Sequence, residues 1–179
     1  MLERLLNLYD MNPSPNRFLG FDIRDIIDTG GNSIVLNAGR NVIKPYVNGR
    51  FSNNSLSLSQ ISFYQEITNA CTNLDLHIKR HKVIIVPIDE IGFFEPLKCP
   101  YSVSELIPGP NLDDAKISNF GLERNDLLKV FRELDKIINK YLNTEGVYIA
   151  PTNVKFQPGN GFFITDLGAE IRNIKYNST

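Results

Sequence analysis

The chain has 179 residues, of which 42% are hydrophobic and 22% charged, which is enough apolar content for one substantial core or two small lobes and excludes a disordered chain. Its net charge of -1 and pI of 6.1 exclude a globally basic surface for nucleic acid or an anionic membrane. Any phosphate binding must therefore be local.

Cys71 and Cys99 are far apart in sequence and form no CxxC pair, which favours a reduced, intracellular chain. No apolar run reaches the length of a membrane span, and the N-terminus lacks the layout of a signal peptide. We therefore expect a cytoplasmic protein with no nucleic-acid or membrane partner.

The first residues predict a short amphipathic helix. Its apolar stripe consists of Leu2, Leu5, Leu6 and Tyr9. This helix either packs on the following domain or binds a protein partner. Pro13 and Pro15 end it, and a new unit begins near Phe18.

Residues 24–46 predict three strands separated by two turns. The first turn contains Gly30, Gly31, Asn32 and Ser33. Glycine tolerates conformations that expose consecutive backbone amides to phosphate oxygens, although a tight hairpin has the same pattern. Lys44 on the third strand would place an ammonium group beneath this turn.

A helix is predicted to begin with Ser59 as its N-cap. The residues at core spacing on it are Ile61, Tyr64, Ile67 and Cys71. Glu66 lies on the same helix, either as a solvated carboxylate or within reach of Lys44.

The basic run from Lys79 to Lys82 is interpreted as a solvated loop, and His77 and His81 as surface residues. Strand material follows, broken by Pro87, and a further strand turns at Pro108-Gly109-Pro110, where two lobes could hinge. Asn125 or Asp126 can then cap a long amphipathic helix.

Two apolar segments, Val154 to Phe156 and Gly161 to Thr165, flank a Gln-Pro-Gly-Asn turn and predict a β-hairpin. An antiparallel hairpin would bring Asn153 and Asp166 to the same end. Their oxygens are the hard ligands that suit Mg²⁺. The alternative is an ordinary surface hairpin with turn-favouring polar ends.

The order of these parts resembles the protein-kinase-like fold, including the aminoglycoside-type phosphotransferases, whose hinge is similar to residues 105–109. The resemblance implies an α+β, two-lobed, minimal kinase-like fold, with an antiparallel N-lobe sheet, one N-lobe helix and a reduced helical C-lobe. It divides the chain into residues 1–17, an N-terminal helix and linker, residues 18–107, the N-lobe, and residues 108–179, the C-lobe.

The resemblance also implies an ATP site with Mg²⁺. Gly30 to Ser33 would cover the phosphates, and Lys44 would contact them while Glu66 holds the lysine by an ion pair. Ser104 would guard the adenine pocket.

Further along the chain, backbone groups of Glu105 and Ile107 would receive adenine. Asn153 and Asp166, the latter in an Asp-Leu-Gly motif, would hold Mg²⁺.

One position departs from the family pattern. The catalytic aspartate stands five residues before the metal-binding asparagine, and Tyr148 occupies that place here. A phenol ionises only near pH 10, about six units above a carboxylic acid, so Tyr148 cannot accept a substrate proton as a carboxylate does. The alternative interpretation is that Tyr148 is an ordinary packed aromatic side chain.

Three functions remain open at the sequence level. The first is a degenerate kinase-like domain that binds ATP with Mg²⁺ as a pseudokinase or regulatory module. The second is an active atypical phosphotransferase or nucleotidyl transferase. The third is an interaction protein on a kinase-like scaffold without nucleotide. The small size is similar to that of some secreted bacterial effectors, which would place the protein in a host cytoplasm.

Overall fold

The computed structural model describes residues 17–29, 33–46, 56–78, 80–95, 98–112 and 151–167, and the single positions 121, 123, 125, 126, 128, 129, 132 and 136. The chain divides into two compact units. The first contains Met1–Ile61 and Asp89–Leu106, and the second contains Ser62–Ile88 and Ile107–Thr179. The predicted N-terminal helix, the turn residues Gly30 to Asn32 and Tyr148 lie outside the described residues.

The first unit is built on a five-stranded sheet in the order β3-β4-β5-β9-β8. A two-stranded hairpin, β1 with β2, precedes it. The strands are β1 Arg17–Phe18, β2 Phe21–Asp22, β3 Asp25–Thr29, β4 Ile34–Ala38, β5 Asn41–Pro45, β8 Ile88–Phe94 and β9 Cys99–Glu105. Strands β3, β4, β5 and β9 pair antiparallel, as the sequence predicts.

Alternate residues of this sheet form the core of the first unit. Leu36 lies opposite Ile43, and Ile43 lies opposite Val103, so one face of three neighbouring strands is apolar. Together with Ile34 these residues are buried, and partly buried side chains such as Phe21 and Ile26 pack against them. Burial alternates along β4, where Ile34 and Leu36 are buried, whereas the adjacent residues Val42 and Ile43 of β5 are both buried.

Helix α1 extends over Leu58–Cys71. Ser57 rather than Ser59 is its N-cap: the Ser57 hydroxyl accepts from Gln60 N–H at 3.2 Å, and Gln60 Oε1 accepts from Ser57 N–H at 2.8 Å. The sequence prediction was wrong because a capping box needs Glu or Gln three residues after the cap, and only Ser57 has one. The four predicted core positions of the helix are all buried.

The second unit contains a four-stranded mixed sheet in the order β10-β11-β7-β6. Its strands are β6 Leu76–Ile78, β7 His81–Ile85, β10 Val154–Gln157 and β11 Gly161–Ile164. The β10–β11 hairpin is antiparallel, as predicted, whereas β11 pairs parallel with β7. Phe162 and Ile164 on β11 and Val83 and Ile85 on β7 are buried, so the sheet has an apolar interior.

The loop predicted for the basic run is wrong at its last two residues, because His81 and Lys82 begin β7. Lys82 is exposed, while the His81 ring meets the rings of Phe156 and Phe162 edge-on, with centroids 5.2 and 5.9 Å away. Strand residues alternate between faces, so a polar run can contain one inward-facing member. His81 therefore belongs to the packing of the second unit.

Most of the predicted long helix lies outside the described residues, but the described positions from Asn125 to Lys136 are helical. The buried carboxylate of Asp126 accepts from Glu123 N–H at 2.9 Å, and Asp126 N–H donates to Glu123 O at 2.9 Å. Asp126 therefore lies in the first turn of this helix, and its carboxylate bonds back to the amide of Glu123 as the N3 side chain of a capping box does, so the prediction that Asn125 or Asp126 is the N-cap is wrong. None of the described helices is long and apolar enough to cross a bilayer.

Candidate functional site

The open end of the β10–β11 hairpin holds the two predicted metal ligands. Asn153 ends a short 3-10 helix, Pro151–Asn153, directly before β10, and Asp166 follows β11 by two residues. Thr165 donates to Asn153 O twice, from its backbone N–H at 2.9 Å and from Oγ1 at 3.1 Å. The chain segments that carry Asn153 and Asp166 therefore lie at the same end of the hairpin, and cation binding by their side chains stays a prediction.

Asp166 is held by a residue that the sequence predicts only as core. The hydroxyl of Tyr64 on α1 donates to Asp166 Oδ1 at 2.5 Å and accepts from Leu167 N–H at 2.9 Å. Tyr64 and Leu167 are 4% and 0% exposed. A buried tyrosine generally needs a partner for its hydroxyl, which is the signal in the sequence that could have led to this contact.

The donor set at this end fits Mg²⁺. It combines an amide side chain and a carboxylate, and Mg²⁺ is usually held by one or two carboxylates while waters and phosphate oxygens complete its octahedron. Within the described ranges no three His, Cys, Asp or Glu side chains cluster to form a protein-only metal site.

Lys44 lies in the first unit, on β5, opposite Ser102 of β9, and it is partly buried. Ser33 directly precedes β4 and is also partly buried. Glu66 is an exposed residue of α1 in the second unit. The ion pair between Lys44 and Glu66 stays a prediction.

The predicted hinge follows β9, and one of the three boundaries between the units falls there, between Leu106 and Ile107. Ser104 is buried, and Glu105, the last residue of β9, is exposed. Leu106 N–H donates to Arg40 O at 2.8 Å. The proposed adenine-facing backbone groups of Glu105 and Ile107 therefore flank a residue whose amide is already used within the first unit.

Within the second unit, the hairpin holds the Pro-Gly-Pro linker. Lys155 Nζ donates to Gly109 O at 2.9 Å, and Gln157 Nε2 donates to Pro108 O at 2.9 Å. Partial burial lowers the pKa of Lys155 below its usual value. Lys155 and Gln157, which lie on one face of β10, thus hold the linker at Pro108 and Gly109 through hydrogen bonds to its backbone.

Comparisons with known proteins support the fold alone. No protein-family model and no curated protein sequence matches the chain. Among solved structures, the chain is similar to "PpkA-294 apo form", a protein kinase domain, with a TM-score of 0.51 and 15% sequence identity. The match covers 85% of this chain and 59% of that chain.

The chain therefore has a small, two-lobed α+β fold of the kinase-like class, and the fold class predicted from the sequence is confirmed. The neighbour is a protein kinase, so the more specific similarity to aminoglycoside-type phosphotransferases stays a prediction.

Proposed function

We propose that the chain is a degenerate kinase-like domain that binds ATP with Mg²⁺ and acts as a pseudokinase or regulatory module. One observation carries the proposal: the hairpin of the second unit presents Asn153 and Asp166 at the same end, and Thr165 ties the two ligand segments together. A surface hairpin with merely turn-favouring ends would not require the carboxylate to be anchored on a buried tyrosine.

In this function Asn153 and Asp166 would hold the cation through their side-chain oxygens. The cation would supply positive charge that neutralises bound phosphates. The anchored carboxylate of Asp166 supplies the negative charge for that cation, and the amide of Asn153 supplies a neutral oxygen.

The first unit contributes the other predicted contacts. Lys44 would supply a positive charge to the phosphates, the turn from Gly30 to Ser33 would supply backbone amides, and Glu66 would orient Lys44. The backbone groups of Glu105 and Ile107 would receive adenine.

In this proposal Tyr148 is the reason why the chain binds ATP but does not transfer its phosphate as a kinase does. No carboxylate stands at the position where a kinase orients and deprotonates the substrate hydroxyl, so phosphoryl transfer lacks its general base. Positioning and charge stabilisation can still support other transfer reactions. Incubation with γ-labelled and α-labelled ATP distinguishes the alternatives: a pseudokinase transfers neither label, a phosphotransferase the first, and a nucleotidyl transferase the second.

A regulatory module also needs a protein to regulate. We assign this contact to the N-terminal apolar stripe formed by Leu2, Leu5, Leu6 and Tyr9. Deletion of the first ten residues should abolish capture of that partner and leave ATP binding intact.

Thermal unfolding with and without ATP and Mg²⁺ tests the proposal. At about 100 times Kd a ligand stabilises a protein by ~2.7 kcal/mol, which corresponds to a rise in Tm of roughly 5–10 °C for a chain of this size. The rise should need Mg²⁺ and should shrink in Lys44→Ala and in Asp166→Asn.

The matched control is Asp89→Asn, which changes an exposed carboxylate in the first unit. It should leave the rise in Tm unchanged. A folded wild-type protein that shows no rise at millimolar ATP and Mg²⁺ would overturn the proposal.

A further inference from the structure

Strand β8 forms one end of the five-stranded sheet of the first unit. Only β9 lies beside it in the strand order, so its outer edge pairs with no described strand. A strand at the end of a sheet presents backbone N–H and C=O groups with which a further strand can pair. The seven residues of β8 give an edge of roughly 23 Å, which is long enough for an extended peptide to pair along it.

The side chains along this edge follow a charge pattern. Asp89 and Glu90 near the start of β8 and Glu95 directly after its end are exposed, and none of these three carboxylates forms an ion pair within the described part of the chain. Ile91 and Phe93 lie between them, and Phe93 is 42% exposed. The edge therefore has negative charge at both ends and an apolar middle.

Strand β3, at the opposite end of the sheet, differs in both respects. Its register against β4 shifts between Ile26 and Asp28, and a bulge of this kind bends an edge strand away from a regular partner. Its exposed Asp25 stands next to the exposed Arg24, so positive and negative charge alternate there. Strand β8 contains no basic residue, so its carboxylates have no such neighbour in the strand.

We propose that the outer edge of β8 is a docking site for an extended segment of a partner protein, with basic residues at both ends of that segment and apolar β-branched residues between them. The segment would add a sixth strand to the sheet. Backbone hydrogen bonds would supply affinity, and the basic side chains would meet the carboxylates of β8 and Glu95. The proposal uses none of the residues assigned to ATP or Mg²⁺.

A second copy of β8 is a poorer occupant of this edge. Pairing of two β8 strands would bring together three exposed carboxylates from each copy, and like charges on neighbouring strands are destabilising. A basic segment replaces this repulsion by attraction, which also steers the partner toward the edge at low salt.

A synthetic peptide with the sequence Lys-Lys-Val-Thr-Val-Lys-Lys, blocked at both ends and labelled with a fluorophore, is a suitable probe. It presents the complementary pattern in either chain direction. Fluorescence anisotropy measures its Kd, which we expect to be about 100 μM or tighter at low salt. The affinity should fall as salt screens the exposed charges.

Substitutions on the two edge strands test which edge is used. Asp89→Lys, at an exposed position, should weaken binding by about fivefold or more, and Phe93→Ser by about threefold or more. The matched controls lie on β3: Asp25→Lys reverses an exposed carboxylate, and Ile27→Ser replaces an apolar side chain that is also 42% exposed. Both controls should retain the Kd within about twofold.

Two N-methylated forms of the peptide test strand pairing itself. One form is methylated on the amides of the two valines and the other on the threonine and its two lysine neighbours at alternate positions, so each form blocks hydrogen bonding along one edge of the peptide. An added strand bonds to β8 through one edge only. One form should therefore lose about tenfold or more in affinity, while the other should bind within about threefold of the parent peptide.

Folded wild-type protein that does not bind the peptide at about 1 mM would overturn the inference and leave the proposed ATP site untouched. Equal losses in the β3 controls, or equal affinities of the two N-methylated forms, would also overturn it, because binding would then be a general attraction between charges. Sedimentation of the protein without peptide tests the other occupant: self-association that Asp89→Lys abolishes would assign the edge to a second copy and overturn the proposed partner.

Discussion

The side chain of Asn69 pairs with the backbone of Ile88 in both directions: Nδ2 donates to Ile88 O at 3.1 Å, and Oδ1 accepts from Ile88 N–H at 3.0 Å. Gln65, one turn earlier on α1, also donates to Ile88 O, at 2.9 Å. Ile88 follows Pro87, where β7 has ended and β8 begins. The helix thus supplies the hydrogen bonds that a neighbouring strand would otherwise provide.

Asn69→Ala should therefore lower the free energy of unfolding by about 2 kcal/mol, because Ile88 N–H loses its acceptor in a largely buried place. Urea unfolding measures the change. Asn73→Ala, at an exposed position just after the helix, is the control and should change stability by less than about 0.5 kcal/mol. Equal effects of the two substitutions would show that the Asn69 hydrogen bonds contribute little.

Gly161 and Gly109 allow the cost of a steric clash to be separated from the cost of backbone strain. Both have a positive φ, +108° and +109°, where an L side chain is strained. A Cβ on Gly161 would collide with the backbone of Lys82 on β7, whereas a Cβ on Gly109 would meet nothing within 4 Å.

We expect Gly161→Ala to destabilise the protein by about 2 kcal/mol more than Gly109→Ala, since the parallel pair of β7 and β11 must move apart. Thermal or urea unfolding of both variants gives the difference. Similar losses in the two variants would mean that strain alone accounts for the cost and that the strands adjust freely.

The capping box of α1 predicts a different outcome for two neighbouring serines. Ser57→Ala removes the acceptor for Gln60 N–H and should cost about 1 kcal/mol. Ser59→Ala removes a hydroxyl contact with Ser57 and leaves the capping box intact, so its cost should be less than half as large. Chemical denaturation distinguishes them, and a larger loss in Ser59→Ala would restore Ser59 as the cap.

Cys99 should contribute a pH-dependent part of stability at alkaline pH. Burial raises the pKa of its thiol from the usual 9.0 to about 11. As pH rises, the unfolded chain therefore loses this proton first, so the contribution is complete below pH 9 and is lost between pH 9 and about 11.

Unfolding curves of wild type and Cys99→Ala across this range measure that contribution. The difference in unfolding free energy between the two proteins should shift against the wild type as pH rises, while titrations common to both cancel. If this difference stays constant between about pH 8 and about pH 11, burial of the Cys99 thiol does not raise its pKa.

Local signals were sufficient for much of the fold. The apolar segments separated by turns in residues 24–46, the helical spacing of Ile61, Tyr64 and Ile67, and the Gln-Pro-Gly-Asn turn each predict the element that the structure contains. Such signals depend on residues close in sequence, where backbone sterics and one buried face decide the outcome.

Three features could not be predicted from local patterns. The parallel pairing of β7 with β11 joins residues that are far apart in the chain. The inward-facing ring of His81 depends on Phe156 and Phe162 being present on the neighbouring strands. The Tyr64 hydroxyl finds its acceptor 102 residues away, so the sequence marks Tyr64 only as apolar core.

The sequence by itself predicted strands β3, β4 and β5, helix α1 and the hairpin that brings Asn153 and Asp166 to one end, and it has Tyr148 where the kinase resemblance expects a catalytic carboxylate. These depend on residue type, spacing and chain direction, which need no knowledge of distant contacts. Only the tertiary structure decided that β6 and β7 extend the hairpin into a four-stranded sheet and that Tyr64 anchors Asp166. Long-range pairing and the satisfaction of buried polar groups depend on which surfaces meet after folding, and no local pattern encodes that choice.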